Sequence, residues 1–231
     1  MKRKGSKRPL NILLRLFLWF FVAQFLYIII LRWLDPPITI TQISSLIAGK
    51  GIQRDYIPLN EMSPNAKLAV LAGEDQLFPD HNGFDIKSIK LAMKYNKKHP
   101  SRIRGASTIS QQVAKNVFLW QGGGYFRKGL EAYFTFMIET FWTKKRILEM
   151  YLNVSEMGEG IFGIQAASKS YFGKDALMLL RIEAAQIAAA LPNPVRYTVR
   201  PLSRYVAIRS GNLMRQMNNI EKDTDIQAII K

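Results

Sequence analysis

The chain has 231 residues, no cysteine, two histidines and a formal charge of +16, from 33 Lys and Arg against 17 Asp and Glu. That length holds one domain of ordinary size plus an appendage, and a hydrophobic fraction of 48% excludes global disorder. The missing cysteines exclude a disulfide framework and a Cys-based zinc site. His81 and His99 are too few for a His-rich metal centre, and the basic excess points to an anionic partner: nucleic acid, a phosphorylated substrate or a membrane surface.

Residues 1–11 form a basic tail carrying Lys2, Arg3, Lys4, Lys7 and Arg8. Residues 12–34 read as a transmembrane anchor. Only Gln24 is clearly polar among the sixteen residues between Arg15 and Arg32. With its apolar flanks, and with both arginines snorkelling, the stretch reaches the roughly 20 residues that a bilayer needs. Trp33 falls where an interfacial aromatic belt would be, and the basic cluster ahead of the run predicts a cytoplasmic N-terminus with the rest of the chain outside. A cleaved signal peptide is the competing reading, but Asp35-Pro36-Pro37 follows the run instead of a small-residue cleavage site.

Residues 35–60 read as a linker, with Ile38-Thr-Ile-Thr41 alternating as a strand does. Residues 61–231 make the main domain. Ser63-Pro64 opens a helix that runs to about Glu74. It delivers two carboxylates, Glu74 and Asp75, to its own end, and Phe78, Pro79, His81 and Gly83 turn the chain before a second helix, Asp85 to Asn96, with Asp85 as N-cap. Ile86, Ile89, Leu91 and Met93 are its apolar candidates. A carboxylate at the edge of an apolar wall can have its pKa raised and serve as a general acid or base; an ordinary polar helix end is the plainer reading.

Lys94 to Arg104 reads as an exposed basic loop. Gly105-Ala-Ser-Thr-Ile-Ser-Gln-Gln-Val-Ala-Lys-Asn116 follows, with Ser107 expected as N-cap of a helix whose surface bears Gln111, Gln112, Lys115 and Asn116. Such a helix start, with hydroxyls and a lysine one turn on, suits an anion. Gln121 to Gly124 is a glycine turn, and Arg127-Lys-Gly-Leu-Glu131 opens a long amphipathic helix in which Arg127 and Glu131 share a face. Thr143 starts the next helix, to Asn153. Gly158, Gly160 and Gly163 form a bend that follows no evident strand, which argues against a dinucleotide fingerprint. Helices are expected over Ile164–Phe172, Leu177–Leu191 and Arg200–Asn219. The domain is therefore mainly α.

Several of these blocks, in this order, resemble glycosyltransferase family 51, the peptidoglycan glycosyltransferases. The matching segments are Glu74-Asp-Gln-Leu-Phe-Pro-Asp-His-Asn-Gly83, Gly105 to Gln112 with Lys115-Asn116, Arg127-Lys128 with Glu131, Lys144-Lys-Arg-Ile-Leu-Glu-Met-Tyr-Leu-Asn153, Gly160 to Gly173, and Glu183 to Pro194. Ala106 and Ser110 depart from the family's commoner glycine and threonine. The resemblance implies a lysozyme-like fold with a membrane-dipping jaw, lipid II as substrate, and glycan-strand elongation by inverting β-1,4 transfer with release of undecaprenyl pyrophosphate. It implies Glu74 as the base and Glu131 as the second carboxylate. Lys115, Arg127 and Lys128 would meet the pyrophosphate, and Ser107, Thr108, Gln111 and Asn116 would donate hydrogen bonds to sugar or phosphate. Asp75 would orient the loop or a cation, while Phe78, His81 and Gly83 shape the turn.

No cofactor or metal site is evident, though Mg or Mn assisting the pyrophosphate is compatible with the reading. The expected partners are lipid II, the growing lipid-linked strand, the membrane, and other cell-wall synthesis and division proteins; nucleic acid is not expected. The expected location is the bacterial inner membrane, single-pass, with a periplasmic catalytic domain. Neither Ser-x-x-Lys nor Lys-Thr-Gly occurs, so transpeptidase activity is not expected. Two rivals stand beside this reading: a membrane-anchored lysozyme-like hydrolase, which also uses two carboxylates, and a non-catalytic scaffold for anionic lipid.

Overall fold

The computed structural model describes residues 8–100 and 104–231, with side chains from residue 11 onward. The expected basic tail lies mostly outside the described residues. The chain divides at Asp35/Pro36 into two compact units. The first unit is one helix, α1 (Arg8–Ile30), followed by a turn over residues 31–33. Within it, Asn11–Ile30 is long and apolar enough to cross a membrane, and Leu13, Phe17, Trp19 and Phe20 are exposed. A helix that is apolar all round needs apolar surroundings on every side.

The second unit is mainly α, as expected. The segment expected as a strand is instead helical: α2 (Ile40–Ile47) starts at Thr39, whose hydroxyl accepts the Gln42 N–H while the Gln42 side chain accepts the Thr39 N–H. This reciprocal capping box overrides the β-branched alternation. Next come β1 (Gln53–Arg54) and α3 (Pro64–Glu74), the latter capped by Ser63 with proline in its first turn. Then follow α4 (Ile86–Lys98), α5 (Ile109–Phe118), α6 (Tyr125–Phe141) and α7 (Lys144–Val154). A small sheet forms from β1, β2 (Glu156–Gly158) and β3 (Ile161–Phe162), in the order β1-β3-β2, with β1 parallel and β2 antiparallel to β3. Strands of two or three residues leave no alternation to read. The glycine bend thus does follow strands, but Gly160 is there for a close approach: a Cβ on it would lie 2.3 Å from the Lys50 carbonyl oxygen.

The chain closes with α8 (Ile164–Phe172), α9 (Arg181–Ala190), α10 (Arg204–Ile220) and a short α11 (Thr224–Ile230) that the sequence reading did not separate. The Leu177 start expected for α9 lies in a separate 3₁₀ turn, Ala176–Met178. Helix α3 packs against α9 and α10, and α5 packs against α6 and α7. Ala184, Ala185, Ala188 and Ala189 are buried, so small residues let α9 lie close to its neighbours. Leu71 of α3 is fully buried, and truncating such a side chain to alanine costs about 2–5 kcal/mol. Asn153, at the end of α7, donates to the Ile57 carbonyl and accepts the Ile57 N–H, fastening the segment ahead of α3 to the core.

Helix α4 departs from expectation. None of its residues is buried; Ile86, Leu91 and Met93 are 54%, 60% and 67% exposed, so its apolar side is not part of the core. The basic loop expected from Lys94 is helical as far as Lys98.

Candidate active site

Helix α3 ends where the sequence places it. Glu74 is its last residue and Asp75 its C-cap. The two adjacent carboxylates have different surroundings. Asp75 is buried, and its Oδ2 accepts the Ile109 N–H at 3.0 Å, the first residue of α5. His81 Nε2 lies 3.0 and 3.1 Å from its two oxygens. The Gly83 N–H donates to His81 Nδ1 at 3.1 Å, so that nitrogen is the acceptor and Nε2–H donates to Asp75. Asp75 thus ties the turn to α5.

The turn is fixed from its other side as well. The Lys144 amine donates to the His81 carbonyl and to Glu139, and lies over the Phe78 ring, 4.5 Å from its centroid. Gly83 has φ +84°, and a Cβ there would lie 2.6 Å from Thr135 Cγ2, so glycine is required. Its carbonyl accepts the Thr108 hydroxyl at 2.7 Å. Phe78, His81 and Gly83 therefore serve the turn.

Glu74 is half-buried and faces a cleft of about 840 Å³, which Arg104, Ser107, Gln112, Tyr205 and Arg209 also line. Burial pushes its carboxyl above the usual range and adjacent Asp75 adds to that; the Gln112 hydrogen bond and the charges of Arg209 and Lys115 oppose it. Gln112 Nε2 donates to Glu74 Oε2 at 2.8 Å, and the Tyr151 hydroxyl donates to Gln112 Oε1 at 3.2 Å. Burial raises the Tyr151 phenol well above its ordinary value, so it stays protonated as a donor. With its carbonyl oxygen held by Tyr151, the amide can only turn its NH2 to Glu74. A relay Tyr151–Gln112–Glu74 thus joins α7, α5 and α3.

The N-cap of α5 is Thr108, not Ser107. The Thr108 hydroxyl accepts the Gln111 N–H, and Gln111 Oε1 accepts the Thr108 N–H at 3.1 Å. Ser107 lies one residue ahead of that N-cap, exposed, lining both the main cleft and a neighbouring pocket of about 240 Å³ with Gln111 and Lys128. Gln111 and Asn116 are buried rather than on the surface, at 5% and 8% exposure. Gln111 spends its carbonyl oxygen on the cap, and the Asn116 main chain accepts the Thr41 hydroxyl at 3.1 Å.

Lys115 is one turn beyond Gln112. It lines a pocket of about 300 Å³ that shares Gln112 and Pro192 with the Glu74 cleft. Among the described residues its amine has no hydrogen bond or ion pair. Burial lowers its pKa; Glu131 counters this most, Glu74 also counters it, and Arg127 and Lys128 reinforce it. Both acids and the other two cations named from the sequence therefore act on Lys115. Glu131 is buried, with Oε2 accepting from Arg127 at 2.8 Å and Oε1 from Lys128. The spacing of four that suggested a surface ion pair is a buried one, and the carboxylate holds two cations in place. Among the described residues no group of three His, Asp or Glu side chains gathers as a metal site.

Three residues at the candidate site escaped the sequence reading. Gln112 and Tyr151 stand within matching blocks, but their pairing across 39 residues has no sequence signal. Arg209 stands on α10, outside every block, and brings a cation to the Glu74 cleft, with its Nε buried and, among the described residues, without a hydrogen-bond partner.

A family model described as Transglycosylase matches residues 40–218. Among curated relatives, a "Biosynthetic peptidoglycan transglycosylase" of Pseudomonas putida is 48% identical over 212 residues, covering 89% of each chain. Proteins of the same description from Shewanella oneidensis and Aeromonas hydrophila are each 45% identical, over 225 residues (96% of each chain) and 228 residues (97% of each). On the length of the match and the relatives' identity over nearly the whole chain, this protein belongs to the transglycosylase family.

Proposed function

We propose that the protein polymerises lipid II into peptidoglycan glycan strands by inverting β-1,4 transfer, releasing undecaprenyl pyrophosphate. The acceptor hydroxyl gives its proton to Glu74, and its oxygen attacks the anomeric carbon of the lipid-linked donor. The bond from that carbon to the pyrophosphate oxygen breaks, and the electron pair leaves with the phosphate. Burial keeps Glu74 basic enough for the first step. The leaving group departs as an anion and needs positive charge rather than a proton. Lys115 supplies it directly, while Glu131 holds Arg127 and Lys128 in register for the same task. Asp75, with its oxygens already occupied, orients the turn instead of taking the proton.

The observation that carries this reading is the Gln112 boundary: Glu74 on one side and on the other Lys115, whose amine has no hydrogen bond or ion pair among the described residues, in pockets that share Gln112 and Pro192. A hydrolase has no diphosphate to meet, so that cation has no task in it. Helix α1 anchors the protein in the inner membrane with its N-terminus in the cytoplasm and the catalytic domain in the periplasm. Exposed Ile86, Leu91, Met93, Tyr125 and Phe126 rest against the lipid from which the substrate is drawn. Transpeptidation is not part of the activity, in keeping with the missing Ser-x-x-Lys and Lys-Thr-Gly patterns. Incubating the purified protein with lipid II and separating the products tests the proposal. Glycan polymer is the expected product; muramidase-type fragments, or unchanged lipid II, would overturn it.

A further inference from the structure

On the far part of α3 from Glu74, the structure holds a second basic pocket that the reaction does not use. It encloses about 360 Å³ between the Leu59–Glu61 turn, Lys67 of α3 and the first turn of α7, and four of the five charged side chains lining it are cations. Lys67 is the unusual one. It stands in the apolar run Ala66–Ala72 and is 3% exposed. An ammonium carries three donors, and among the described residues this one makes a single bond, to the Leu59 carbonyl, 3.4 Å long and beyond the usual range for N–H···O. Among the described residues no carboxylate pairs with it. Burial, and then the charge of Lys145, holds its pKa below the ordinary lysine value.

The first turn of α7 adds to this. Lys144, Lys145 and Arg146 crowd the helix end whose free N–H groups already favour anions, and there is no acidic residue in that turn. Lys144 is engaged by His81 and Glu139, and Arg146 by Glu149. Lys145 is exposed and among the described residues has neither a hydrogen bond nor an ion pair. Glu149, the lone acid lining the pocket, has both oxygens taken, Oε1 by Arg146 and Oε2 by the Leu59 N–H at 2.8 Å. Two cations, one of them buried, thus face a shared cavity, and among the described residues neither has an ion pair.

We propose that this pocket is a binding site for a phosphate-type oxyanion, with Lys67 and Lys145 as its charged ligands. A tetrahedral anion offers acceptor oxygens in several directions and so can meet a lysine from α3 and one from α7 together. The site does not depend on the function proposed above, and lies two helical turns along α3 from Glu74.

Isothermal titration of the full chain in detergent tests it, in a Lys115→Ala background so that the catalytic cleft contributes less, with inorganic phosphate and short-chain phosphatidic acid as separate probes at constant ionic strength. Saturable binding that weakens about tenfold or more on adding Lys145→Ala is expected, since one charge-assisted contact is lost. Such binding of inorganic phosphate assigns the site to a soluble phosphate; binding of the lipid alone assigns it to a headgroup. Lys67→Met is expected to abolish binding, and Lys145→Ala, at an exposed position, keeps the measurement decisive should Lys67→Met fold poorly. Lys145→Ala in the otherwise wild-type chain leaves polymerisation without added phosphate unchanged. No saturable binding of either probe, or affinity unaltered by Lys145→Ala, overturns the proposal.

Discussion

Tyr151→Phe removes one oxygen atom from a fully enclosed side chain and leaves the ring in place. The lost contact is the 3.2 Å donation to Gln112 Oε1, which fixes the Gln112 amide so that its NH2 meets Glu74 at 2.8 Å. The bond joins two neutral groups, so its net worth is about 1 kcal/mol. If all of it acts on the base, kcat/KM for lipid II polymerisation falls about fivefold at neutral pH. The pH profile carries a second signature. The Gln112 hydrogen bond is one of the influences that lower the Glu74 pKa against burial. A freely turning amide weakens that influence, so the Glu74 pKa rises further. In the proposed mechanism Glu74 acts as the ionised carboxylate, and the ascending limb of kcat/KM therefore moves to higher pH. The assay is the initial rate of polymer formation across the acid to neutral range, for wild type and variant at matched folding by circular dichroism. A variant with wild-type rate and an unmoved acid limb would refute the relay, as would a limb displaced to lower pH.

Gly83→Ala forces a side chain into positive φ and to within 2.6 Å of Thr135. It is expected to cost about 1–3 kcal/mol, seen as a lower midpoint of thermal unfolding, with polymerisation reduced because the turn carries Asp75's partner His81. Arg209→Ala is expected to raise KM for lipid II and to move the acid limb to higher pH, since its charge lowers the Glu74 pKa; Arg209→Lys restores the limb in part, and no change in either quantity would remove Arg209 from the site. Glu74→Gln is expected to stabilise the fold near neutral pH. The folded-state pKa of Glu74 lies above its unfolded value, so its favourable contribution is complete below the unfolded pKa and is lost as pH rises through the folded one. The stabilising effect of the substitution should therefore vanish in acid, and a variant less stable than wild type at neutral pH would contradict the burial argument.

The helix ends at the site were legible where a cap is written locally. Ser63-Pro64, Asp85 and Thr143 each start a helix as expected. Thr39 and Thr108 escaped for one reason. Each has a glutamine three residues on, and that reciprocal pattern decides the start. At Thr39 the alternation of isoleucine and threonine hid it, and at Thr108 the preceding serine was the nearer candidate. The matching blocks named Glu74, Lys115, Arg127, Lys128 and Glu131 and implied a task for each, but not the side chains that surround them. Whether a carboxylate is occupied depends on partners far along the chain, as with Asp75 and Ile109 across 34 residues. The exposed side of α4 was illegible for a related reason: apolar spacing shows that a helix has an apolar side, and packing alone decides whether the core receives it.

The proposed reaction needs one proton acceptor, Glu74 at the end of α3. Purified Glu74→Gln, supplied with lipid II, should bind the substrate and yield no glycan polymer, because the amide keeps the shape and the Gln112 contact but has no basic oxygen. Polymer formation by this variant at a rate comparable to wild type would contradict it.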